Sequence, residues 1–389
     1  MMIKKPQILY APMLSSFGGG SARGFNPGGG GGLGEFVLTL SNGTTYSQVY
    51  RSDGDTDAQI SSFFGSNLSS DPGYISSSGT SLYKPYDGYY SMQLGINCIV
   101  TIRCKGASGG YPTNTGSSGG KTLGYGRDVE GTFALSANDI LVFGVGKTGE
   151  DGDPGQSSAG AGGGATFCYK RVSTTDTILA VGAGGSATPN YESWIDESYT
   201  AGLTRLGNSA VPLSSKGTGN HNSIISSRSS KSGLYWYSSA YSGGVGRPSA
   251  GGSGGGFNNS GRSYDGSTNT NLGNGLLTTN PGFKGGVRQK RGGFGGGGGH
   301  DGGNNYAGGG GGYFGAFECA GTPSTHTAYA WYVQGDGEGY DNNLGPISYV
   351  ENSASSFTDN GIYGSPSSST STSDSLQGGQ IVFTFNPVP

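Results

Sequence analysis

Apolar and polar residues alternate with a period of two in several short stretches of the chain, and each stretch reads as a β-strand with one face toward a core. Residues 36–40 (FVLTL) form the first, and Asn42-Gly43 behind them marks a tight turn. Residues 94–104 (LGINCIVTIRC) form the longest and are expected to be one continuous strand. Residues 129–135 (VEGTFAL) alternate, turn at 137–139 (AND) and resume at 140–143 (ILVF). Two further strands are expected at 165–170 and 178–181, and a closing strand at 380–385 (QIVFTF). Helical periodicity of useful length is absent, with 59–64 the weakest candidate. The fold class expected is all-β.

Between these strands the pattern changes to glycine. The chain has 82 glycines in 389 residues, about three times the usual share. They cluster at roughly 106–126, 152–164, 182–188, 243–262 and 282–315. The spacing is not the strict every-third repeat of collagen. Runs such as 292–303 (GGFGGGGGHDGG) and 307–315 (AGGGGGYFG) carry aromatic neighbours, which plain linkers lack. Polyglycine adopts an extended helix with polyproline II geometry. Without Cβ atoms, several such helices can pack side by side and pair their backbones, satisfying N–H and C=O groups without a large apolar core. Flexible spacers are the rival reading of the same runs.

The composition has 12% charged and 32% hydrophobic residues, which taken alone suggests disorder. A net charge of only −3 and 11% aromatics, 24 of them tyrosines, argue for a folded chain. There is no basic stripe, so no nucleic-acid partner is expected. The cationic cluster 284–291 (KGGVRQKR) reads as a solvated loop. No apolar run approaches the roughly 20 residues of a membrane span, and the first 20 residues do not read as a secretory signal. Cys98 and Cys104 share one face of a strand, about 20 Å apart, and cannot bridge each other there. Free buried thiols are expected for Cys98, Cys104, Cys168 and Cys319, in keeping with assembly in a reducing compartment.

Four regions are expected. Residues 1–34 form an extended docking arm, 35–105 the first strands, 106–320 a glycine-rich domain interleaved with strands, and 321–389 Ser/Thr-rich loops with the closing strand. The arm presents Ile8, Leu9, Tyr10, Met13, Leu14 and Phe17 between prolines, without a periodicity of its own. A frayed terminus is its rival reading.

Residues 102–110 (IRCKGASGG), 129–135, 139–149, 160–170 (GAGGGATFCYK), 178–185 (ILAVGAGG), 291–299 (RGGFGGGGG) and 308–313 resemble, in order, the glycine-rich region of the extracellular part of anaplastic lymphoma kinase and leukocyte tyrosine kinase receptors. The resemblance covers roughly 90–385. It implies a jelly-roll-like β-sandwich with a bundle of polyglycine helices inserted between its strands. In those receptors the region binds a small protein ligand. This chain lacks their kinase region and cysteine set, so the fold is carried over and the receptor role is not. Residues 7–25 (QILYAPMLSSFGGGSARGF) resemble N-terminal anchors of large-phage and marine-virus structural proteins, and glycine-rich adhesins at phage fibre tips are a looser likeness.

Catalytic patterns fail on context. Gly144-x-Gly146-x-x-Gly149 follows a strand, but no helix follows it, so no dinucleotide is expected. Gly146-Lys147-Thr148 and Gly120-Lys121-Thr122 end like phosphate loops whose first glycine is missing. His221, His300 and His326 have no metal-ligand spacing, and the acidic stretch 53–57 (DGDTD) lacks the glycine and glutamate of a calcium loop. No metal, cofactor or enzymatic activity is expected. Exposed aromatics are the binding candidates: Trp194, Tyr235, Trp236, Tyr237, Tyr241, Trp331 and Tyr332, suited to stacking on a glycan or a protein surface, with internal loop packing an equal reading. The function expected is a virion structural or adhesion protein, of tail-fibre, head-fibre or decoration type. Its arm would meet other virion proteins and its glycine-rich domain would face the host, and assembly as a homo-oligomer is compatible with that role. The alternative is a secreted ligand-binding module, and a fibre-borne depolymerase has the least support.

Overall fold

The computed structural model describes residues 34–39, 45–50, 73–78, 88–110, 124–152, 160–187, 245–246, 254–256, 262–263, 273, 275, 285–286, 291–299, 308–313, 315, 346, 348–363 and 378–387. Its regular elements are all strands: β1 (Gly34–Thr39), β2 (Thr45–Tyr50), β3 (Ile75–Ser78), β4 (Tyr90–Leu94), β5 (Cys98–Lys105), β6 (Gly126–Leu135), β7 (Ile140–Gly144), β8 (Thr166–Val172), β9 (Thr175–Gly182), β10 (Val245–Gly246), β11 (Arg262–Ser263), β12 (Tyr349–Val350), β13 (Ser356–Tyr363) and β14 (Gln380–Pro387). Among the described residues the protein is all-β, as the alternation predicts.

The strands form two six-stranded sheets, ordered β13-β6-β5-β14-β1-β2 and β12-β9-β8-β7-β4-β3, with β10 and β11 pairing separately. The first and last long strands lie side by side, β1 running parallel to β14 with Phe36 opposite Ile381. Period-two patterning decides which side chains meet. In β5 every second residue is buried, so Cys98, Val100, Ile102 and Cys104 point inward. Phe36 and Leu38 of β1, Phe133 and Leu135 of β6, and Ile381, Phe383 and Phe385 of β14 join them from the same sheet. Met92, Leu141, Phe143 and Ala180 come from the other sheet. Phe143 bridges the layers, stacked on Phe36 at 5.2 Å and edge-on to Phe383 at 5.1 Å, geometries that favour aromatic pairs.

The expected single strand at 94–104 is corrected. β4 ends at Leu94 in the second sheet and β5 begins at Cys98 in the first. Gly95-Ile96-Asn97 is the crossing. Gly95 N donates to Tyr74 O at 2.8 Å, and a Cβ at Gly95 would strike the Gly73 carbonyl. Ile96, apolar and in phase with the strand, is 38% exposed in the turn. The turn expected at 137–139 is present, with Asn138 at φ 70° and Asp139 Oδ2 accepting from Ser136 N at 3.0 Å.

Candidate functional site

The glycine clusters begin where strands end. β5 runs into 106–110, 124–125 lead into β6, β7 runs into 145–152, 160–165 lead into β8, and β9 runs into 183–187. These segments have no strand ladder, yet their backbones are paired with one another. Ala161 N and Gly164 N donate to Glu150 O and Lys147 O. Gly162 N and Ala165 N donate to Gly298 O and Gly295 O, and Gly163 N donates to Gly185 O. Residues three apart therefore reach the same neighbour, and adjacent residues reach different ones. Carbonyls follow the same rule: Ala161 O and Gly164 O accept from Gly110 N and Ala107 N, while Gly160 O and Gly163 O accept from Gly308 N and Gly311 N. Gly162 O accepts from Gly293 N at 2.9 Å. Segment 160–165 is thus surrounded by other segments. Segment 106–110 repeats the rule, with Gly106 and Gly109 donating to Arg127 O and Gly124 O.

Only glycine allows this approach. A Cβ at Gly162 would lie within 3.0 Å of the Gly309 carbonyl, at Gly163 of the Ser108 carbonyl, and at Gly149 of the Ala161 carbonyl. In each case the obstacle is backbone, which cannot swing aside. Segment 291–299 doubles back at 294–296, where Gly295 (φ 102°) and Gly296 (φ 82°) take conformations unfavourable to other residues. Phe294 at this bend pins the glycine segments to the second sheet. Its ring lies 6.0 Å from Tyr89 and 6.4 Å from Phe167 over Gly88 and Gly144, where side chains would collide with it. Tyr313 stacks on Tyr349 at 4.1 Å on the same outer face.

The ends of these segments gather. Gly110 N meets Ala161 O, Gly109 N meets Gly124 O, Glu150 N meets Arg291 O, Gly308 N meets Gly160 O, and Ala187 N meets Gly308 O.

The Gly144-x-Gly146-x-x-Gly149 stretch is accounted for by packing. Gly144 lies beneath Phe294, Gly146 N donates to Thr166 Oγ1 at 2.9 Å, and Gly149 N donates to Ser108 O at 3.3 Å. Lys147 N and Glu150 N donate to Phe294 O and Arg291 O. The amides of Gly146, Lys147, Gly149 and Glu150 are thus bonded within the protein. Thr148 Oγ1 is buried without a hydrogen-bond partner.

Among the described residues no group of His, Cys, Asp or Glu has the makings of a metal site, and no helix is long and apolar enough to cross a membrane. Cys98, Cys104 and Cys168 are free and buried. Desolvation raises all three thiols, Cys98 to about 11. Ion pairs are structural: Arg103 grips Asp128 with both arms at 2.8 and 2.6 Å, and Arg127 grips Asp359 at 2.7 and 2.8 Å. The first joins β5 to β6 and the second β6 to β13.

The aromatic candidates Trp194, Tyr235, Trp236, Tyr237, Tyr241, Trp331 and Tyr332 lie outside the described residues. So do the arm residues Ile8, Leu9, Tyr10, Met13, Leu14 and Phe17, the acidic stretch 53–57, the three histidines and Cys319. Sequence reasoning missed Phe294 as an anchor. Its signal was an aromatic isolated within a glycine run, RGGFGGGGG. Comparison of the chain with protein-family models and with curated proteins finds no match.

Proposed function

We propose that this chain is a structural or adhesive component of a virus particle that acts by display and binding, not by catalysis. In this reading residues 1–34 attach it to other virion proteins. A jelly-roll-like sandwich carries a bundle of threefold polyglycine helices, and the far end of the bundle faces the host. The period-three exchange of backbone hydrogen bonds around 160–165 carries the reading. A helix of three residues per turn turns successive N–H groups toward different neighbours and every third one toward the same neighbour. A bundle so bonded is rigid, unlike a spacer, and suits a platform. The sequence likenesses of 7–25 and of the glycine-rich region to viral anchors and receptor modules point the same way.

The experiment deletes residues 3–25 and follows the chain into purified particles by mass spectrometry. The truncated chain is expected to melt like the parent and to be missing from particles that contain the parent. Normal incorporation of the truncated chain would remove the docking role. Absence of the intact chain from particles, with the protein found in the medium, would favour the secreted ligand-binding module.

A further inference from the structure

We propose that Cys104 and Cys168 are a latent disulfide pair that closes between the two sheets when the chain moves from reducing to oxidising surroundings. Cys104 points into the core from β5 and Cys168 from β8, and both are fully buried in the same apolar cluster. Cys104 Sγ lies 3.8 Å from Ala180 O. Ala180 is the registered partner of Cys168 across β8 and β9, so the thiol of one sheet sits beside the position paired with the other.

The sheets pinch together at this point. Facing sheets usually stand about 10 Å apart, too far for a bridge with a Cα separation of roughly 4.4–6.8 Å. Here Thr166 Oγ1 donates to Lys105 O at 2.6 Å, tying the end of β5 to the start of β8. Gly182, opposite Thr166, has no room for a Cβ against the Cys104 carbonyl. Cα atoms of β5 and β8 come within 8 Å. The close approach of glycine backbones beyond the strand ends draws the two sheets together beside Cys104. Cys98 is excluded because it lies at the other end of β5, roughly 20 Å from Cys104.

Both thiols are protonated and unreactive in the closed fold. Burial raises them, and the neighbouring Cys104 raises Cys168 further. The bridge therefore forms as the sheets open or as the chain folds. A small-molecule disulfide is the oxidant. One cysteine thiolate attacks it and forms a mixed disulfide, releasing one small thiolate. The second cysteine thiolate attacks the protein-bound sulfur of that intermediate and releases the other. The protein loses two protons and two electrons, and the oxidant becomes two thiols.

The test refolds the full chain in a mixture of oxidised and reduced glutathione and maps its peptides without reduction. A Cys104–Cys168 linked peptide is expected, with Cys98 free and a melting temperature higher by roughly 5–10 °C than that of the reduced chain. In the Cys98→Ser/Cys319→Ser variant, both remaining thiols should disappear together. Thiols left free or only glutathionylated, or a bridge through Cys98 or Cys319 in the intact chain, would overturn the proposal. Should the double variant fail to fold, the map of the intact chain decides. The outcome is independent of whether the chain belongs to a virion.

Discussion

At Gly297 a Cβ would fall within 3.0 Å of both the Gly162 carbonyl oxygen and the Gly293 nitrogen, and at Gly310 it would meet the Gly184 carbonyl. These are ordinary glycines by conformation, without positive φ, so their requirement comes from crowding. Valine at either position is expected to lower stability by roughly 2–4 kcal/mol, the range for forcing atoms into packed structure. Gly361 is the opposite case. It has φ 95° and nothing within 4 Å of its would-be Cβ, so Gly361→Ala should cost only about 1 kcal/mol of backbone strain. Thermal melts of the Gly297→Val, Gly310→Val and Gly361→Ala variants separate the two causes. Flexible spacers would leave the valine variants neutral or stabilised by about 0.4–1 kcal/mol through a less disordered unfolded chain. Melting of both valine variants at or above the parent would end the packed-bundle reading.

Among elements, β13 shows how a strand persists without an apolar face. Its sequence SFTDNGIY alternates between half-buried and exposed positions and offers the core almost nothing beyond Phe357. It lies at the edge of its sheet, bulged between Asp359 and Gly361. Besides the backbone ladder, the two-pronged Arg127–Asp359 pair binds it to β6, with each side chain only 12% exposed. Asp359 Oδ1 also accepts from Gly361 N at 3.0 Å, which supports the bulge. Asp359→Ala is expected to cost about 1–3 kcal/mol, because it strands a largely buried guanidinium. Hydrogen exchange would show the loss in 356–363 before it appears elsewhere. Uniform loosening of both sheets would mean that the pair does not act locally. The same weak pattern hides β13 from a reading that relies on apolar alternation.

Across the whole molecule, buried thiols and tyrosines couple stability to alkaline pH. Cys98 is raised from the usual 9.0 to about 11, and Tyr349 from 10.0 to about 12 by burial, with Tyr313 and Glu351 adding to it. A raised pKa means that the folded state keeps a proton the unfolded chain gives up. Its stabilising contribution is whole below 9 and is lost as pH climbs to about 11 for Cys98, and between about 10 and 12 for Tyr349. The melting temperature is therefore expected to be insensitive to these groups up to about pH 9 and to fall above it. A Cys98→Ser variant should lose part of the slope between pH 9 and 11 and keep the part due to Cys104, Cys168 and tyrosine. An unchanged slope in that variant would show that Cys98 does not titrate as its burial implies.

Local alternation by itself makes the inward residues of β1, β5, β6 and β14 readable, because a strand turns successive side chains to opposite faces whatever it pairs with, whereas β7, β8 and β9 read only as apolar runs buried on both faces. Burial of Cys98 and Cys104 follows from the same phase. The crossing at 95–97 is not readable, since Ile96 keeps the apolar rhythm while the backbone passes from one sheet to the other. The short strands β3 and β12 and the polar edge strand β13 take their existence from neighbours. The glycine runs are readable as candidates for packing, but not in their arrangement. Glycine has no side chain with which to record a face or a phase. Which carbonyl stands opposite Gly162, Gly163 or Gly164 is decided only when distant segments are brought side by side, and that is the work of the two sheets from which those segments emerge.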